Sequence, residues 1–482
     1  MRRIDLKEGE VFEASMLERD SAFDADAMKV AVDIVDDVRK RGDEALRDYA
    51  AKFDHVDLGA LEVSEEEIEE ALELVDDDFL RSAEYAADNI ADFHKRQMQQ
   101  SWFNTRADGA IVGQKVTPLD RVGIYVPGGR AQYPSTVLMN AVPADVAGVG
   151  EIVMCTPPQR DGKVNPYTLA AASVAGVSRI FKTGGAQAIA AMAYGTESIP
   201  AVDKVTGPGN AFVAAAKKLV SGDCGIDMIA GPSEVCVLAD DNAIPEFVAV
   251  DLMAQAEHDP KATCYLVTTE PEMVPEIEAA IEELLEQSER ADITRASLEH
   301  GLIVTCERLQ QAFDVVNTIA PEHLEIAMSE PWELLGKVKH AGAIFLGSWT
   351  PESVGDYVAG PNHTLPTGGT AAFSSPLSVD DFVKKSSVIS YTYDALEADA
   401  DAIMTLAARE GLWAHGRAVD IRMAFIKYAM EAMQNGDGCG CGCGDDGCGC
   451  GDDDCGCGGG CGDPDCECGH GDDPNHVCSC GK

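Results

Sequence analysis

VCVLADDNAIPEFVAVDLMAQAEHDPKATCYLVT, residues 235 to 268, carries the alternation that decides the fold. Two short β-branched runs, VCVLA and CYLVT, flank a stretch of helical spacing from 243 to 257, and Pro260 stops that helix. Strand, helix, strand at these intervals predicts a parallel sheet covered by helices. Outward from here the pattern repeats, with RVGIYV, EIVMC and RIFKT on the N-terminal side and GLIVT and GAIFL on the C-terminal side. Helical stretches at 271 to 288 and 308 to 317 separate the later runs, so the chain reads as α/β with more than one parallel sheet.

Residues 26 to 100 read as helices. Met28, Val32, Ile34, Val35 and Val38 recur at helical spacing, and a Glu-rich amphipathic run follows from Ser64 to Leu80. Residues 416 to 434, GRAVDIRMAFIKYAMEAMQ, form another amphipathic helix. Near residue 435 the composition changes to Gly, Asp and Cys, and no hydrophobic period survives to fold that tail by burial.

The formal charge of −46 argues against nucleic acid or an anionic membrane as partner, since either needs Lys and Arg. About a fifth of that charge sits in the tail, so the body is itself acidic. The N-terminal MRRIDLKEGEVFEASMLERD has no apolar core of signal-peptide length, and no run of eighteen apolar residues occurs, which points to the cytoplasm. Cys155, Cys224, Cys236, Cys264 and Cys306 are spaced for neither a zinc finger nor a disulfide framework and read as small buried hydrophobes.

Four segments carry the polar residues that could do chemistry. VGDYVAGPNHTLPTGG, residues 354 to 369, places Asp356 and His363 in a stretch whose Gly and Pro content predicts a loop, neither helix nor central strand. In DLMAQAEHDP, Gln255 and His258 stand three apart, on one face near a helix C-terminus, where a capping His with an exposed Gln is the plain structural alternative. Asp356 and His415, from REGLWAHGR, complete a nitrogen and oxygen set with His258 that suits a catalytic zinc or similar ion. In APEHLEI, Glu322 and His323 are neighbours that would face opposite ways in an extended segment; they suit separate proton-transfer tasks. Gly-rich turns at 127 to 129, 184 to 188, 207 to 212 and 230 to 235 allow close backbone approach and free amides for phosphate, yet no G-x-G-x-x-G occurs.

Taken in order, YVPGG, GGAQAIAA, GPGN, AGPSE, QAEH, APEHLE, GDYVAGPNHTLPT and EGL..H resemble the histidinol dehydrogenase family, over about residues 10 to 434. The resemblance implies NAD-dependent, zinc-containing oxidation of L-histidinol through L-histidinaldehyde to L-histidine. It implies zinc ligands Gln255, His258, Asp356 and His415, one zinc per subunit, and Glu322 with His323 as the acid-base pair. Ser233, His363 and Glu410 match substrate-contacting positions together with the ligands and His323, and Tyr125, Gln187 and Asn210 match NAD-contacting ones. It also implies a homodimer with shared sites, in which Glu410 and His415 act across the interface.

The expected architecture is then two Rossmann-like domains: 26–124 with 231–376, carrying most zinc and catalytic residues, and 125–230 on the NAD side. An arm (1–25), a C-terminal helical segment crossing to the partner (377–435) and a disordered Cys-rich tail (436–482) complete it. Two alternatives stay open at this point. A zinc hydrolase would keep the metal and use Glu322 as base toward metal-bound water. A cysteine thiolate is the other common route through an aldehyde, with Cys155 as its candidate, although nothing basic adjoins it. The tail lies outside the resemblance. It holds twelve Cys, mostly as C-x-C, with His470 and His476, which suits soft-metal binding in a reducing compartment.

Overall fold

The structure is a computed structural model that describes residues 1–17, 19, 25–128 and 132–434. Those residues divide into two compact units, Met1–Trp102 with Gln114–Ser387, and Phe103–Gly113 with the chain from Val388 onward.

The first unit contains two parallel sheets. One has six strands in the order Arg2–Leu6, Leu302–Cys306, Thr263–Thr268, Glu234–Ala239, His323–Ala327, Ala343–Leu346. The other has five, in the order Arg179–Lys182, Glu151–Thr156, Arg121–Tyr125, Lys204–Thr206, Gly225–Ile226. All of their pairings are parallel, and helices such as Pro166–Val174 and Pro245–Ala256 carry the chain back between successive parallel strands. Alternate residues of one strand enter different cores. Val235 and Val237 face one side of the six-stranded sheet while Cys236 and Leu238 face the other, and Val153 and Met154 divide likewise in the five-stranded sheet. Both faces of both sheets are therefore buried, which explains strand runs that are apolar throughout instead of alternating.

The 235–268 reading holds: Glu234–Ala239 and Thr263–Thr268 pair in parallel, and Pro245–Ala256 is the helix between them. The structure divides the chain differently from the expected domain boundaries. Strand Arg121–Tyr125 lies at the centre of the five-stranded sheet, not in the six-stranded domain. The helices Ala25–Arg41 and Asp77–Lys95 put Ile34, Val35, Ala83 and Ile90 into the cores on the two faces of that same sheet. Leu377, Val379 and Phe382 join that core too. The N-terminal arm is an edge strand of the six-stranded sheet, from Arg2 to Leu6. Helical periodicity fixes which face of a helix is apolar but carries no information about which sheet it covers, and this is why the boundary differs.

The second unit is built on helices Tyr393–Arg409 and Trp413–Gln434. Arg106 anchors the first of these through Asp399, at 2.8 Å, and the Thr392 hydroxyl donates to the Asp108 carbonyl at 2.6 Å.

Candidate active site

The amino ends of the six-stranded sheet hold one group of candidate residues. Ser233 immediately precedes strand Glu234–Ala239, while Glu322 precedes and His323 begins strand His323–Ala327. The helix Pro245–Ala256 ends at the same edge, with Gln255 in its last turn and His258 in the turn just beyond. Helix C-termini expose carbonyls and a negative dipole end, a setting that favours cations.

Glu322 and His323 are both buried, at 5 % and 4 % exposure, so strand alternation does not separate them; Glu322 stands just outside the strand. The Glu234 amide donates to Glu322 Oε2 at 2.9 Å. His323 Nδ1 lies 3.1 Å from Gln255 Oε1 and 3.3 Å from the Glu234 carbonyl, both acceptors, which assigns the ring proton to Nδ1. Nε2 is left with a buried lone pair and no hydrogen-bond partner, 3.8 Å from Asp356 Oδ1. Burial pushes the His323 pKa down to about 3, so the ring is neutral at neutral pH and free to take a proton at Nε2. Burial pushes Glu322 the opposite way, well above the ordinary carboxylate range, against the hydrogen bond from the Glu234 amide.

The loop expected over 354 to 369 begins as a helix. Glu352–Tyr357 is helical, and the chain becomes irregular only beyond it. Gly355 is there for clearance, not for a turn: a Cβ at that position would lie 2.7 Å from the Phe345 ring. Glu325, two residues beyond His323 on the same strand, accepts the Glu352 amide at 2.9 Å and so starts this short helix. The helix presents Glu352 and Asp356 one turn apart, and ligand atoms of His258, Glu352 and Asp356 lie within 4.8 Å of one another. Glu352 Oε1 is 3.7 Å from His323 Nδ1, and Oε2 is buried without a partner. Sequence reasoning missed Glu352. The i, i+4 spacing in ESVGD could have shown it, but the glycines and prolines downstream directed the reading toward a loop.

His363 donates from Nδ1 to the Asp356 carbonyl at 3.2 Å, and burial lowers its pKa to about 4. Asp356 is pushed up to about 6 by burial. Asp356 and His363 line two cavities, one of 580 Å³ with His323 and Phe345, the other of 530 Å³ with Tyr133, His258 and Arg290. Nitrogen and oxygen donors brought this close, with orphaned buried atoms beside them, fit a divalent cation.

A second group stands at the carboxyl ends of the five-stranded sheet. Tyr125 ends its strand, is 4 % exposed, and accepts a hydrogen bond from the Gly185 amide at 3.0 Å, at the start of helix Gly185–Tyr194. Gln187 is buried in that helix, and the Asn210 side chain accepts from the Phe212 and Val213 amides to cap helix Ala211–Val220.

Glu410 and His415 belong to the second unit, both exposed, at the end of one helix and the first turn of the next. The five body cysteines are free and buried. Burial pushes the Cys155 thiol up, away from the thiolate a nucleophile needs, which removes the thiolate alternative. The tail cysteines with His470 and His476 lie outside the described residues.

The chain matches the family model described as histidinol dehydrogenase over residues 17–423. It is 55 % identical to a histidinol dehydrogenase of Syntrophotalea carbinolica, over 82 % of this chain and 92 % of that one. A second relative, the histidinol dehydrogenase of Halalkalibacterium halodurans, is 53 % identical over 84 % of this chain and 96 % of its own. The crystal structure of histidinol dehydrogenase from Elizabethkingia anophelis superposes with a TM-score of 0.85 at 36 % identity, covering 89 % of this chain and 99 % of that one.

Proposed function

The chain belongs to the histidinol dehydrogenase family and oxidises histidinol in histidine biosynthesis, and from that premise we propose how its residues do so. The family assignment leaves no place for the hydrolase alternative. The observation that carries our reading is the buried, unpartnered Nε2 of a neutral His323 beside the His258, Glu352 and Asp356 cluster.

In this reading Gln255, His258 and Asp356, with His415 of the partner subunit, hold one zinc per subunit, and Glu352 stands beside them as a further oxygen donor not foreseen from the sequence. When bound, zinc supplies a Lewis acid for the substrate and NAD⁺ accepts a hydride in each oxidation. His323 takes the hydroxyl proton at Nε2, while Nδ1 stays tied to Gln255 and the Glu234 carbonyl. Glu322, which burial makes a stronger base than an ordinary carboxylate, draws a proton from the water that hydrates the aldehyde, and the resulting hydrate is oxidised in the same pose. Ser233, His363 and Glu410 orient L-histidinol. Tyr125, Gln187 and Asn210 receive NAD⁺ at the other sheet.

We place Glu410 and His415 in the partner's site of a homodimer. Support comes from the second unit, whose helices leave Trp413, Phe425 and Tyr428 at least 70 % exposed, large apolar side chains of the kind an interface covers. Among the described residues no helix is long and apolar enough to cross a membrane, and we place the enzyme in the cytoplasm. For residues 437–482 we propose soft-metal binding through the C-x-C pairs.

Half-reactions test the division of labour. His323→Ala should slow both oxidations by roughly 10² to 10⁴, whereas Glu322→Gln should mainly slow oxidation of supplied aldehyde. Equal losses in both half-reactions for the Glu322 variant would contradict the assignment.

A further inference from the structure

Gly207 has both of its backbone polar groups held by charged side chains out of reach of water. Its amide donates to Asp227 Oδ2 at 2.9 Å, and its carbonyl accepts from Lys217 Nζ at 2.8 Å. Lys217 comes from helix Ala211–Val220, and Asp227 follows strand Gly225–Ile226. The two side chains also form an ion pair with each other, at 3 % and 1 % exposure.

Burying such a pair is expensive, and an apolar pair of equal volume would serve a core as well or better. What an apolar pair could not do is satisfy one donor and one acceptor on the same residue. The residue so held is under constraint. Gly207 has φ +116, and a Cβ there would lie 2.1 Å from the Tyr125 carbonyl oxygen. The 207–210 turn thus rests directly on the end of the strand that carries Tyr125, and it leads into Asn210.

We propose that the Lys217–Asp227 pair is a positioning device for the dinucleotide crevice, holding the Gly207–Asn210 turn in its binding conformation before NAD arrives. This rests on the reading of Tyr125 and Asn210 as NAD contacts. Neither charged side chain touches the cofactor; both act through Gly207.

The test is NADH affinity, read by fluorescence titration of the full chain without histidinol. Lys217→Met and Asp227→Leu should each weaken NADH by about tenfold, the loss of ~1.4 kcal/mol expected for one hydrogen bond to a charged group. Histidinol KM and zinc content should not change. The double variant Lys217→Met with Asp227→Leu removes the stranded charge, so its Tm should recover while NADH stays weak. NADH affinity that recovers together with Tm, or unchanged affinity in a folded single variant, overturns the proposal. Asn210→Ala separates the two readings: if it weakens NADH and the pair variants do not, only the positioning role falls, and if none of them does, the crevice assignment falls with it. Should the pair variants not fold, amide exchange in the unaltered protein decides. Gly207 N–H should exchange slowly before NADH is added, and fast exchange that slows only with NADH would overturn the proposal.

Discussion

The two parallel sheets of the first unit are used at opposite ends. The six-stranded sheet works at its amino edge, where helices terminate, and gathers His258, Glu322, His323, Glu352 and Asp356. The five-stranded sheet works at its carboxyl edge, where helices begin, and offers glycine backbone with Tyr125, Gln187 and Asn210. Helix C-termini favour positive charge and N-termini favour negative charge, so in the proposed reading one architecture suits a cation at one edge and a pyrophosphate at the other. The second edge follows the general rule for open α/β sheets, and the first departs from it.

The largest test of this division is metal removal. Chelation should abolish turnover and zinc should restore it, while NADH affinity at the other sheet stays within about twofold of the holoenzyme because no donor there is a metal ligand. Full turnover in a demonstrably zinc-free protein would sink the cation-site half of the comparison. Glu352→Gln, with zinc content as readout, sharpens it by showing whether the Glu352 carboxylate holds metal or only supports His323.

Next in size is complementation. If the amino-edge site is finished by a partner's His415, mixing inactive His258→Ala and His415→Ala subunits should return roughly a quarter of wild-type activity, since half of the randomly paired dimers carry one intact site. No recovery despite heterodimers seen by native mass spectrometry would make each site the work of one chain.

A smaller effect concerns stability. Burial and the neighbouring Asp251 push Glu325 up to about 9 from an ordinary 4.5, so the folded chain holds a proton that the unfolded chain releases across that interval. Stability from this group is whole below the lower value and is lost as pH rises through the upper one. Glu325→Gln keeps the shape and removes the titration. The variant should gain on wild type by ~1–2 kcal/mol in denaturant melts between about pH 5 and pH 9. A pH-independent difference would mean that the strand carries no such proton. The smallest expected effect is that of the tail. Ending the chain near Asn435 should change kcat by less than about twofold, because both sheets are complete before it; a large loss would tie the cysteines to one of the two edges.

Much of this was legible in the residues. The seven apolar runs became strands because a strand buried on both faces must be apolar throughout, and the motifs around Gln255, Glu322 and Asp356 survive as contiguous pieces. The pairing of His258 with Asp356 was also foreseen, and the two do meet. Strand Arg2–Leu6 was not foreseen, since RRIDL has a charged outer face at a sheet edge and no apolar run.

By itself the chain of residues determined the α/β alternation and the family, both of which depend on local pattern or on side-chain identity. Tertiary structure alone decided the rest: that helices 25–95 cover the five-stranded sheet, that Glu352 stands beside His323, and that His323 is neutral with its base nitrogen at Nε2. Each of these is set by neighbours far apart in the chain, through burial and distance, and neither quantity exists until the chain has folded.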